Sequence, residues 1–94
     1  MKGAKMILHE MILQDLKITV NDYNQMLSGN KNYVVVQNNN FKVNEILHFS
    51  EIINLGLHDK LTGRVLIARI KQITTTENYP YGLMPGYVIL GLEI

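Results

Sequence analysis

Leu16–Val36 reads LKITVNDYNQMLSGNKNYVVV, and it decides the fold class because its apolar period changes twice. Leu16-Lys17-Ile18 alternates apolar and polar, as a half-buried strand does. Thr19 then suits a helix N-cap, its hydroxyl accepting from an N–H of the first turn. Asp22 falls in that turn, where a carboxylate favours the helix dipole. Tyr23, Met26 and Leu27 lie at i, i+3 and i+4 and make one apolar face. Ser28-Gly29 ends the helix after about three turns. Tyr33–Val36 is aromatic and β-branched, which predicts a strand covered on both faces.

Outward from this unit the chain is mostly strand. Upstream, residues 5–13 are apolar around His9-Glu10 and fit either a strand or an added helical turn. Downstream, Gln37-Asn38-Asn39-Asn40 interrupts the apolar run. Phe41, Val43, Ile46, Leu47 and Phe49 then surround a turn at Asn44-Glu45 and lead into a third strand, on which His48 faces away from Leu47 and Phe49. Ile53–Lys60 reads as a loop around Gly56, and Thr62-Gly63 as a turn. In Arg64–Ile73, RVLIARIKQI, Val65, Ile67, Arg69 and Lys71 take one face and Leu66, Ala68, Ile70 and Gln72 the other. TTTENYPYGLMPG is a polar loop, and Tyr87–Ile94 a last strand. One helix among five or six short strands predicts an α+β fold built on a small, strongly curved sheet or barrel.

Ninety-four residues give one domain, 1–94, with no room for a second core. Hydrophobic residues make up 47% and charged residues 18%, as in an ordinary globular chain. A formal net charge of +1 gives no bulk signal for nucleic acid, so such a role requires a local basic patch. The chain has no cysteine, which excludes disulfides, thiolate nucleophiles and Cys-based zinc sites. No apolar run approaches the roughly 18 residues of a membrane helix. The opening MKGAKMILHEMIL looks superficially like a signal peptide, but His9 and Glu10 break its apolar core and no small-residue cleavage site follows. A cytoplasmic protein without membrane contact is expected.

Three segments together resemble one family. LKITVNDYNQMLSGNK (Leu16–Lys31), FKVNEILHFSE (Phe41–Glu51), and LTGR with GLMPGYVILGLEI (Leu61–Arg64, Gly82–Ile94) are similar, in that order, to the small bacterial and phage branch of the ASCH domains in the PUA-like superfamily. The resemblance covers roughly residues 14–94, and 1–13 form an N-terminal extension outside it. It implies a small PUA-like β-barrel with a helix beside a cleft. It also implies RNA binding for most members, and for one relative amidohydrolysis of an acylated cytidine. After the helix the family carries a pattern like G-K-K-T-F-E-I-R-K-N-D-R. Gly29, Lys31, Asn38 and the aromatic Tyr33 keep that pattern. Val34, Val36, Gln37, Asn39 and Asn40 stand where the family has glutamate, arginine, lysine, aspartate and arginine, so charged positions have become neutral. Gln14 replaces a histidine often found near the first strand. Asparagine keeps the capacity to donate and accept while losing the charge.

Each candidate residue has a functional and a plain reading. Lys31 matches the family's cleft lysine, which in the hydrolytic relative helps to activate a nucleophile or hold an oxyanion; otherwise it is a solvated lysine in a helix-to-strand turn. That relative sets a threonine two or three residues further on, whereas here Tyr33 and Val34 follow. Glu51 aligns with a family glutamate able to bond a base edge or act in acid–base chemistry, or it is a strand-end carboxylate. Arg64 of TGR pairs with a ligand phosphate or makes an ordinary ion pair. Asn38, Asn39 and Asn40 offer amides to a base or form a turn in which asparagine tolerates left-handed backbone. Tyr79 and Tyr81 around Pro80 stack on a base or anchor their loop. His9, His48 and His58 have no metal-ligand spacing, so neither metal nor cofactor is expected.

Lys31, Tyr33, Asn38, Asn39, Asn40, Glu51 and Arg64 are therefore the expected ligand site, in a non-catalytic module for RNA or a modified nucleoside. A protein-interaction or inhibitor module of phage or mobile-element origin is the alternative, and an amidohydrolase of acylated nucleosides the second. A cluster of Lys17, Lys31, Lys42 and Arg64 around the cleft favours RNA. An exposed patch at Met6, Ile7, Met11 and Ile12 favours a protein partner or a homodimer over a monomer.

Overall fold

A computed structural model describes residues 13–56, 58–79 and 81–94. The patch expected at Met6, Ile7, Met11 and Ile12, and the assignment of residues 5–12, lie outside the described residues. Among the described residues five strands and one helix follow one another as β1 (Leu13–Thr19), α1 (Val20–Leu27), β2 (Tyr33–Gln37), β3 (Ile46–Leu55), β4 (His58–Thr74) and β5 (Tyr87–Glu93). The fold is α+β, with a single mixed sheet in the order β1-β3-β4-β5-β2. β1 runs parallel to β3, and the other neighbours are antiparallel.

The strand-helix-strand unit forms for the reasons its sequence gives. The Asp22 N–H donates to Thr19 Oγ1 at 3.2 Å, capping the helix. Tyr23 and Met26 are buried against the sheet. Leu27 is not: the helix has only 8 residues, a little over two turns, and Leu27 lies beyond the face that reaches the sheet. Gly29, at φ +84°, takes the left-handed conformation that ends the helix. The core joins these helical residues to alternate positions of the strands: Leu47 and Phe49 of β3, Leu66, Ala68 and Ile70 of β4, and Val88, Leu90 and Leu92 of β5. Lys71, Gln72 and the residues beyond leave the expected alternation because β4 carries a one-residue bulge between Ile70 and Gln72.

Three further expectations are corrected. β2 is covered on one face only: Val34 packs into the core, while Val35, which points to the opposite face, is 52% exposed. Ile53–Lys60 is no loop; β3 and β4 continue through it as a hairpin that turns at Gly56, with Asn54 opposite Asp59. Thr62-Gly63 ends nothing either. β4 runs from His58 to Thr74, and the pair lies inside it at a bulge whose purpose emerges from the site.

Candidate functional site

Being the two edges of the sheet, β1 and β2 each have one backbone edge without a strand partner among the described residues. Both edges line one cleft. Leu16, Lys17 and Ile18 of β1 and Val34, Val35 and Val36 of β2 form its walls. Phe49 lies behind them, and Asp22 and Lys31 complete the lining of a space of about 220 Å³. The position of Lys31 follows from how the helix ends. Its N–H donates to the Gln25 carbonyl at 3.1 Å, which holds the chain against the last turn, and its side chain returns to Asp22 with Nζ 3.0 Å from Oδ1. The ammonium also stands 5.3 Å from the centre of the Tyr33 ring. With Lys17 also in the lining, two lysines and one aspartate border the cleft.

Leu16 and Val36 also line a second, wider space of about 490 Å³ with Gln37, Asn38, Asn39, Phe41 and Tyr87. The groove is thus charged at one end and amide-lined at the other. Each asparagine of the run has its own task. Asn38 donates its N–H to the Gly86 carbonyl, and its Oδ1 accepts the Asn40 N–H at 3.2 Å, closing a local turn. Asn40 sits at φ +56°, a conformation that asparagine tolerates. Asn39 alone reaches outward: its Nδ2 donates to Gln14 Oε1 at 3.0 Å, tying the loop after β2 to β1. The two amides that stand where the ASCH resemblance expects an aspartate and a histidine thus bond to each other.

Glu51 and Arg64 form a separate cluster. On β3 Glu51 shares the inward face of Leu47 and Phe49 and is 1% exposed, and a carboxylate placed there must be paired. TGR supplies the partners. Ser50 pairs with Val65 and Ile52 with Leu61, so the single residue Glu51 lies opposite three residues, Thr62, Gly63 and Arg64. This wide bulge, with Gly63 at φ +94°, folds around the carboxylate. Thr62 Oγ1 donates to Glu51 Oε1 at 2.6 Å and accepts the Arg64 N–H at 3.1 Å. Arg64 clasps both oxygens, Nε to Oε1 at 2.8 Å and Nη2 to Oε2 at 2.5 Å. Its guanidinium carbon lies 4.4 Å from the centre of the Tyr23 ring. The Arg64 bond holds the Glu51 carboxyl below its ordinary value, against the opposing effect of burial, and the Glu51 bond raises Arg64 in turn.

Of the expected site, the structure brings Lys31, Asn38 and Asn39 to one groove and sets Tyr33 beside Lys31. Asn40 holds the turn, while Glu51 and Arg64 face each other. Of the four cations grouped by the sequence, Lys17 and Lys31 line the cleft; the Lys42 backbone N–H serves a turn by donating to Glu45. Leu16, Ile18, Asp22 and Phe49 join the site without a sequence motif to mark them, although the alternation of LKI and the position of Asp22 place them near Lys31. Tyr79 and Tyr81 are both exposed and meet edge to face at 6.5 Å; Pro80 between them lies outside the described residues. Among the described residues no group of three His, Asp or Glu side chains is placed to hold a metal ion, and no helix is long and apolar enough to cross a membrane.

Residues 13–92 match the family described as domain of unknown function, DUF3850. The chain belongs to that family. The DUF3850 match begins where β1 begins and ends within β5, so it takes in both walls of the cleft and the Glu51 bulge. No curated protein matches this DUF3850 chain.

Proposed function

We propose that this chain is a PUA-like, ASCH-type domain whose curved sheet acts as an incomplete barrel, and that it binds a base of RNA or a modified nucleoside without transforming it. The observation that carries this reading is the groove between β1 and β2. Apolar walls from Leu16, Val34 and Val36 suit a flat heterocycle, and the β1 and β2 edges, without a strand partner among the described residues, suit its polar rim. Lys17 and Lys31 at one end suit a phosphate. The ion pairs give hydrolysis no support, because Lys31 is held by Asp22 and Glu51 by Arg64 and Thr62.

One observation favours a second reading, a protein-interaction module: the β3–β4 hairpin runs past the end of β1 with Ile53 and Leu61 exposed. Fluorescence anisotropy with labelled single-stranded RNA and an RNA hairpin, titrated with salt, separates the two. Salt-sensitive binding that weakens in Lys31→Ala supports the RNA reading. Absence of binding at low salt refutes it and turns attention to the hairpin.

A further inference from the structure

A further groove, of about 540 Å³, lies on the outer side of β2, β5 and β4. Two backbone features open it. Lys71 is the extra residue of the β4 bulge, and Gly91 of β5 has no side chain where a Cβ would stand 3.4 Å from the Gln72 Cβ. Tyr33, 46% exposed, forms one wall with Asn32 beside it, and Lys71 lies in the lining with Nζ 3.9 Å from Glu93. Lys31 lines the inner cleft, and its ammonium stands 5.3 Å from the ring centre of Tyr33, which lines the outer groove. The two grooves therefore meet at one cation and one aromatic ring, on either side of the β2 edge.

From this juxtaposition we infer that the ligand is a single strand of at least two nucleotides, which crosses the β2 edge at Lys31. One base occupies the inner cleft, the linking phosphate faces the Lys31 ammonium, and the neighbouring base stacks on Tyr33 in the outer groove. Every base offers a flat π-face to a tyrosine, so this second position is tolerant of sequence. A duplex cannot part its stacked bases around a strand edge in this way, so single-stranded segments or loops are selected. The inference rests on the inner-cleft reading proposed above and specifies its ligand.

Isothermal titration of the full chain with ribonucleoside monophosphates and the matching dinucleotides tests it. The dinucleotide is expected to bind about tenfold more tightly than the mononucleotide, the gain of one stacked base. Tyr33→Ala removes that gain, while Tyr33→Phe retains it and serves as the folded control. A mononucleotide that binds with no gain for the dinucleotide, or a gain that survives Tyr33→Ala, overturns the crossing and leaves the inner cleft standing. Failure of both ligands to bind overturns the cleft reading and the crossing with it.

Discussion

The two ion pairs beside α1 use similar groups to opposite ends. Glu51–Arg64 is a clasp with two bonds on a carboxylate 1% exposed, braced by Thr62 and stacked on Tyr23. Lys31–Asp22 is one contact at 3.0 Å between side chains 25% and 34% exposed, at the mouth of the cleft. The first cannot open without leaving a charge in the core. The second can exchange partners at little loss, since exposed pairs contribute about 0–1 kcal/mol. On the proposed reading a ligand meets its cation at Lys31, while Arg64 is held by Glu51.

That contrast can be broken by substitution. Arg64→Ala strands Glu51, so it is expected to lower the thermal midpoint further than Gly63→Ala, Lys31→Ala or Asp22→Asn. The pH profile adds a check of sign. In the native chain the Glu51 carboxyl lies below its ordinary value, so the stability it contributes is full above the unfolded pKa and fades as pH falls through the folded one. In Arg64→Ala burial outweighs the remaining Thr62 bond and raises Glu51, so the variant regains stability relative to the native chain on acidification. A gap between the two that is flat with pH contradicts the clasp.

Gly63→Ala should destabilise by about 1–2 kcal/mol, the strain of a side chain in left-handed backbone, measured by urea unfolding. A methyl group at Gly63 would meet nothing within 4 Å, so a larger loss would mean that the bulge itself fails. Lys31→Ala inverts the pattern. Stability should change by less than about 1 kcal/mol, while affinity for single-stranded RNA falls about tenfold and the salt slope loses about one contact. Asp22→Asn is the mildest: freeing Lys31 should tighten RNA binding about threefold, with a slight loss of helix stability from the weakened first turn.

The strand-helix-strand unit was legible because its signals are local: a capping threonine, a left-handed glycine and a change of period. The strand RVLIARIKQI was legible through Leu66, Ala68 and Ile70, whose alternation the burial follows. What escaped was set by distant partners. Thr62-Gly63 carries the composition of a turn, and only Glu51 on the neighbouring strand makes it a bulge. Gly56 marks a reversal, but pairing of Asn54 with Asp59 brings the strands right up to it. YVVV has the composition of a strand covered on both faces; whether anything packs over Val35 is set by elements distant in sequence, and Val35 is half exposed. Of the site, Lys31 and the asparagine run were legible as residues. Their grouping with Leu16 and Phe49 was not, since it depends on β1 and β2 being opposite edges of one curved sheet. Glu51 and Arg64 were legible as residues, but not as each other's partner, since they meet across the β3–β4 pairing.

Whether the β1–β2 cleft is the ligand site is tested most directly by amide nitrogen–proton correlation spectra, recorded as a short single-stranded RNA is added to the labelled chain. Binding in the cleft shifts the amides of Leu16, Ile18, Lys31, Val34 and Val36 and leaves those of Ile53 and Leu61 on the β3–β4 hairpin in place. Shifts confined to the hairpin, with the cleft amides unmoved, would contradict it.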